Sequence, residues 1–200
     1  MIIEGCECVG KTALVKKFME MGVRESAYKP IESYDYHGDS YEELKPDPAY
    51  HGNLHHGFLI PPKEVKGSFY VERYQMGVIR FHIDILNATN NVIVEPFHLG
   101  EAVYGPLYRS YSPAYLRFFE TLMHPKTILV MLTASTKVIE KRYDNTRPQK
   151  HYIKREDIPR ILKMFDREFE KSIIRIKVRI DNTELTPEET LKEVLPYTMI

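Results

Sequence analysis

The segment GCECVGKT, residues 5–12, fits the pattern G-x-x-x-x-G-K-[ST], and no other feature of the chain restricts its fold as tightly. Glycines at both ends let the backbone curl until successive N–H groups point inward as an anion nest, and a following helix adds the positive end of its dipole. Such a loop needs a strand before it and a helix after it. Both are present: "MIIEG" is a short apolar strand, and "KTALVKKFMEM" places Leu14, Phe18 and Met21 at helical spacing. Gly5, Cys6, Glu7, Cys8, Val9, Gly10, Lys11, Thr12 and Ala13 are therefore the candidate phosphate-binding residues. Lys11 reaches β- and γ-phosphates as a point charge, and Thr12 offers a hydroxyl to Mg²⁺.

Further along, short apolar runs alternate with helical patterns, which predicts βαβ units and a parallel sheet. "SAYKP" reads as a second strand, "NVIVEP" as a third, "TILVMLTA" as a fourth and "IRIKVRID" as a fifth. A long helix from about 66 to 87 puts Tyr70, Tyr74, Val78, Phe81 and Ile85 on one side. "VIEKRYDN" and "REDIPRILKMFDREFEKSI" are helical, and the second has an acid near Asp157 at its start. "TPEETLKEVL" closes the chain with Thr186 as cap, Pro187 in the first turn and Glu189 completing a capping box. The expected architecture is a doubly wound α/β domain, a parallel five-stranded sheet with helices on both faces. All 200 residues form one domain, with an irregular Pro-, Gly-, Tyr- and His-rich insertion over about 30–62.

Charge narrows the function classes. Basic and acidic side chains number 28 each, so no global field draws the chain to nucleic acid or to an anionic membrane. The apolar runs are strand-sized, and neither a membrane span nor a secretory signal is expected. With two cysteines, both inside the loop, the chain reads as cytoplasmic. The positive potential of the helix end is expected to lower a thiol pKa at Cys6 or Cys8, although small apolar loop residues explain them as well.

A loop that grips a nucleotide leaves the fate of the phosphoryl group open. A regulatory GTPase needs a guanine-reading N-K-x-D, which does not occur, and translocating ATPases belong to larger chains. A kinase for a small acceptor needs a metal-side acid, a basic lid and a base reader. Glu95, at the end of "VIVE", is the candidate acid beside Thr12 at the metal. "KRYDNTRPQKHYIKR", about 141–155, is the candidate lid, with Arg142 and Arg147 as the catalytic choices because arginine forks match phosphate geometry. Phe69 and Arg73 lie four apart on one helix face, suited to stack on and hydrogen-bond a planar base.

Together these segments resemble the thymidylate kinase family of P-loop kinases. "EGCECVGKT" is similar to the bacterial-type "EGLEGAGKT" loop, in which the lid supplies the arginines; Arg142 and Arg147 fit that arrangement. "FYVER" matches the family's Phe-x-x-x-Arg, implying that Phe69 stacks on thymine and Arg73 reads it. "EPFHLGEAVYG" resembles Asp-Arg-(Tyr/His)-x-x-Ser, so that Glu95 stands for the aspartate and Tyr104 for the aromatic near the deoxyribose. The chain departs from the family at Pro96, where an arginine holds the acceptor phosphate, at Gly100 for serine and at Cys8 for glycine. Arg109 and Lys29 are candidates to replace the missing arginine.

The resemblance implies ATP and Mg²⁺, transfer to a deoxynucleoside monophosphate such as dTMP, and a small-molecule nucleotide as sole substrate partner. Homodimers are common in the family, and a compact, divergent member suits a virus or phage. Deoxynucleoside kinases are similar too. They use a Phe-Gln pair on the equivalent helix, where Tyr74-Gln75 is the counterpart, and a Glu-Pro after the second strand, where this chain has Lys29-Pro30 with Glu32 nearby. A P-loop ATPase or nucleotide-gated binding protein is the third class.

Overall fold

The structure is a computed structural model and describes residues 1–25, 53–55, 68–88, 93–145 and 153–198. Strand β1 (Ile2–Glu4) runs into the phosphate-binding loop and helix α1 (Lys11–Glu25). Strand β2 (Asn53–His55) and helix α2 (Ser68–Ala88) follow, then β3 (Ile93–Glu95), α3 (His98–Tyr108) and α4 (Leu116–Thr121). The chain continues through β4 (Ile128–Thr133), α5 (Thr136–Asn145), a 3-10 turn (Arg155–Asp157), α6 (Ile158–Lys171), β5 (Ile176–Asp181) and α7 (Pro187–Thr198).

All five strands are parallel, in the order β2-β3-β1-β4-β5. The register pairs Ile2 with both Val94 and Leu129, which brings the C-terminal ends of β3, β1 and β4 to one edge. Helices cover both faces, α1 packing on α7 and α3 on α6 with α5 beside it. With both faces covered, the inner strands carry continuous apolar runs instead of alternation. Ile2, Ile3, Val94, Leu129, Val130 and Met131 are buried in one core cluster with Leu14, Ile79, Ile83, Leu99 and Phe165.

The expected doubly wound five-stranded sheet is the sheet observed, but its second strand differs. β2 falls at 53–55, inside the segment read as an irregular insertion, while the run at 26–30 lies outside the described residues. Helices α3 and α4 had no periodic signal strong enough to be predicted. The stripe on α2 is also turned: Tyr70 and Phe81 are exposed, whereas Gln75, Ile79, His82, Ile83 and Leu86 are buried. Those five residues keep helical spacing, so two faces of this helix carry apolar side chains and the aliphatic one wins the core. Asp157 stands at the start of α6, as expected. Asp157 makes no capping bond there, and its carboxylate accepts the Tyr108 hydroxyl at 2.7 Å. Thr186 and Glu189 form the expected capping box, each accepting the other's backbone N–H, at 3.2 and 2.8 Å.

Gly5 fixes how β1 enters the loop. Its φ is +139°, and a Cβ there would lie 2.3 Å from the Leu132 carbonyl oxygen of β4. That neighbour is backbone in the middle of the sheet and cannot swing aside. Gly5→Ala is therefore expected to lower stability by roughly 2–4 kcal/mol in denaturant unfolding; an unchanged midpoint would contradict this account of the turn.

Candidate active site

The loop wraps over the edge of the sheet with Gly5, Cys8 and Gly10 all at positive φ. Cys8, at φ 64°, occupies a left-handed conformation that costs an ordinary side chain roughly 1–2 kcal/mol. A left-handed residue next to a right-handed one turns the N–H groups toward a common centre. The first turn of α1 adds further N–H donors that have no carbonyl one turn earlier within the helix. Lys11 folds back over this nest, with Nζ donating to the Gly5 and Cys6 carbonyl oxygens, each at 2.9 Å. The ammonium is thus held at the loop's mouth by main-chain atoms of the loop itself.

Thr12 is exposed on the first turn of α1 and donates its hydroxyl to Glu95 Oε1 at 2.6 Å. Glu95 ends β3, the strand next to β1, and is buried. Its other oxygen, Oε2, has no hydrogen-bond partner among the described residues. A buried carboxylate oxygen left without a donor is costly unless a cation or another donor meets it. Mg²⁺ keeps several waters and takes one or two protein oxygens together with substrate phosphates. The Thr12–Glu95 pair fits that demand, and among the described residues no cluster of three or more His, Cys, Asp or Glu forms a self-sufficient metal cage.

Cys6 belongs to the core. Burial pushes its thiol up to about 12, outweighing the opposing pull of Lys11. The positive potential expected to lower a thiol pKa is therefore overcome at Cys6 by desolvation, because the side chain points into the protein and not toward the nest. Cys8 is half-buried against the core.

Arg142 stands on α5 behind the loop. It donates to the Val9 carbonyl oxygen at 3.1 Å and to Asn182 Oδ1 and O at 3.3 and 3.2 Å. Asn182, buried just past β5, donates Nδ2 to the same Val9 carbonyl at 2.7 Å. These bonds brace the outer curve of the loop from two elements and hold Arg142 beside it. Arg147 lies outside the described residues. Arg155, further along the basic segment, pairs at the surface with Asp144 and Glu140.

Beyond Arg155, the root of that segment is tied to the site. Ile153 donates its N–H to Glu7 at 3.3 Å, and its carbonyl accepts the Tyr143 hydroxyl at 3.0 Å. Glu7 also donates its own N–H to the buried Tyr104 hydroxyl at 3.2 Å, and Tyr104 stacks on Tyr108. Tyr104 therefore sits directly behind the phosphate loop, joining it to α3.

The two sets of base-reading candidates on α2, Phe69 with Arg73 and Gln75, lie on different faces. Phe69 is 58% exposed and Arg73 is also exposed, with the guanidinium 5.2 Å from the Phe69 ring centre. The pair is formed, but it lies at the helix surface. Gln75 is on the buried face instead. One turn before it, Glu72 lies within electrostatic reach of Glu101 and Tyr115. Glu101 pairs with Arg109 in a buried salt bridge, and Arg109 also reaches the Tyr111 hydroxyl at 3.4 Å. Burial pushes the Glu101 carboxyl up against the pull of Arg109. Glu101 Oε1 and the Tyr115 hydroxyl have no hydrogen-bond partner among the described residues, so this polar cluster holds unused capacity. Glu101 and Tyr115 were not anticipated. The signal for Glu101 was its place six residues beyond Glu95, and Tyr115 had none.

No protein-family model and no curated protein matches this chain. Solved structures do. The YorR protein from Bacillus subtilis, in complex with phosphorylated GDP, superposes with a TM-score of 0.60 at 19% identity, covering 99% of this chain and 94% of its own. Deoxyadenosine kinase from M. mycoides, with bound dCTP, superposes at 0.52 and 15% identity, covering 98% of this chain and 96% of its own. At such identities the likeness is one of fold: the described residues form the parallel sheet, covered by helices on both faces, that these structures share.

Proposed function

We propose that this chain is an ATP- and Mg²⁺-dependent kinase that passes the γ-phosphoryl group to a deoxynucleoside-type acceptor. The observation that carries the reading is the Thr12–Glu95 hydrogen bond beside the phosphate nest, with the second Glu95 oxygen buried and unpartnered. A loop that only held phosphate would not require a buried carboxylate at its flank.

In this reading the loop N–H groups and Lys11 hold the β- and γ-phosphates, while Thr12 and Glu95 hold Mg²⁺. When bound, the metal neutralises phosphate charge and aligns the terminal phosphoryl for in-line attack. An acceptor oxygen forms a bond to the γ-phosphorus as the bond to the bridging oxygen breaks, and ADP leaves with that electron pair. Arg147 and the rest of the basic segment are the candidates to meet charge on the equatorial oxygens, since Arg142 braces the loop. Exclusion of water favours transfer to the acceptor over hydrolysis.

The acceptor supported best is an unphosphorylated deoxynucleoside. Gln75 occupies the inward face of α2, whereas Phe69 and Arg73, which the thymidylate kinase resemblance assigns to the base, lie on the exposed side. One of the similar folds is a deoxyadenosine kinase. The Glu101–Arg109 pair, with its spare carboxylate oxygen, lies near Glu72 on the same helix and offers hydrogen-bonding capacity for a base. A nucleoside hydroxyl must also lose a proton, and Glu32, outside the described residues, is the carboxylate that the sequence offers for it. The second reading, dTMP, is favoured by the engagement of Glu95 with Thr12, because a monophosphate already carries its nucleophilic oxygen and asks no base of that residue.

Lys11→Ala is expected to lower turnover at least about 10²-fold with the fold retained by circular dichroism; near-normal turnover would remove the kinase assignment. Incubation with ATP and a panel of deoxynucleosides and monophosphates identifies the acceptor. On the active acceptor, Gln75→Ala should raise KM about tenfold or more while Arg73→Ala changes it little. The reverse ranking, or product from dTMP alone, would restore the thymidylate reading.

A further inference from the structure

His98 is buried between two carboxylates that belong to different parts of the molecule. Its Nε2 lies 2.8 Å from Glu120 Oε1, and because a carboxylate only accepts, that nitrogen carries a proton. Glu120 is itself fixed: Arg117 donates to it at 2.5 Å, and the Ile173 N–H donates at 2.8 Å. Arg117 continues to Glu168 Oε2 at 2.8 Å on α6. The outer edge of the imidazole is thus anchored to α4 and, through it, to α6.

The inner edge points at the site. His98 Nδ1 is 3.9 Å from Glu4 Oε1, fully buried and without a hydrogen-bond partner among the described residues. Glu4 is the last residue of β1 and adjoins Gly5 of the phosphate loop. Its two oxygens accept the Leu99 and Gly100 N–H groups, at 2.7 and 3.3 Å, in the first turn of α3. One carboxylate therefore sets the start of the phosphate loop against the start of the helix that carries Glu101 and Tyr104. Burial pushes the Glu4 carboxyl up, while the charge of His98 and the backbone donors pull the other way.

We infer that His98 is a positioning residue for the acceptor side of the site. Held on Glu120, its ring packs beside the Glu4 carboxylate, whose bonds to the Leu99 and Gly100 N–H groups set the distance between the phosphate loop and the Glu101–Tyr104 segment. The inference rests on the kinase reading and deepens it. Glu4, His98, Glu120, Arg117 and Glu168 are ionisable groups of one chain that runs from the core to the half-buried Arg117, with Lys11 acting on Glu4 from α1. Helix α3 is bonded to β1 directly through Glu4, and His98 adds the link to α4 and, through Arg117, to α6.

The test is steady-state kinetics of His98→Gln, in which the amide keeps a donor for Glu120 and removes the group facing Glu4. Thymidine, deoxyadenosine and dTMP are each used as acceptor. Acceptor KM should rise about tenfold with KM for ATP within about twofold of wild type. The effects of His98→Gln and Glu4→Gln should be non-additive in a double-mutant cycle, since one acts through the other. Unchanged acceptor KM, equal rises in both KM values, or additive effects would overturn the inference. If His98→Gln does not fold, ¹⁵N spectra of the wild-type imidazole decide: a shift of the His98 signals on adding acceptor supports the role, and signals that move only with an ATP analogue overturn it. Wild-type protein that phosphorylates none of the three acceptors would remove the kinase reading and this role with it. A normal wild type with an unaffected variant removes the role alone.

Discussion

Parallel pairing of β1 with both β3 and β4 is the constraint on which the candidate site depends. Because Ile2 is in register with Val94 and Leu129, three strand ends finish side by side. Glu4 and Glu95 both end their strands at this edge, and the Leu132 carbonyl lies close enough to Gly5 to exclude a side chain. The loop between β1 and α1 has one direction to take, over those ends and back onto the sheet. Ligand sites in open α/β sheets form at the carboxyl ends of strands, and here the register itself places a carboxylate and a hydroxyl 2.6 Å apart at that edge.

Around this edge the protein buries an unusual amount of charge. Glu4, Glu95, Glu101 and Glu120 are each at most 5% exposed, where carboxylates are rarely found without partners. Three are paired: backbone N–H groups meet Glu4, Arg109 meets Glu101, and His98 with Arg117 meets Glu120. Glu95 has one hydroxyl and a remaining oxygen. Breaking one member of such a chain leaves a charge stranded away from water, which costs more than the pair contributes. Glu4 and Glu120 therefore hold elements in place, whereas Glu95 and Glu101 each keep one oxygen without a hydrogen-bond partner among the described residues.

Much of this was legible in the sequence, for physical reasons that can be named. The loop pattern, its flanking strand and helix, the βαβ alternation and the capping box at Thr186 are local signals that depend on adjacent residues. What was not legible depends on distant ones. The buried face of α2 could not be chosen from periodicity, because Tyr70 and Phe81 mark one apolar stripe and Ile79, Ile83 and Leu86 another. Arg142 reads as a lid arginine by its position in a basic run; that it also bonds Val9 and Asn182, far away in the chain, has no local signal. His98 and Glu120 carry no motif; only packing brings them together. Cys6 misled for a related reason, since a loop position near a helix end suggests an acidic thiol until its direction into the core is known.

The central claim is that Thr12 and Glu95 form the metal side of a nucleotide site, and calorimetric titration of a non-hydrolysable ATP analogue tests it most directly. Wild-type protein and Glu95→Gln are each titrated with and without Mg²⁺. The account predicts that Mg²⁺ tightens wild-type binding by about tenfold or more, equivalent to roughly 1.4 kcal/mol, and that Glu95→Gln binds the metal-free analogue normally while losing that increment. An equal Mg²⁺ effect in both proteins, or no binding of the analogue by wild type, would contradict it.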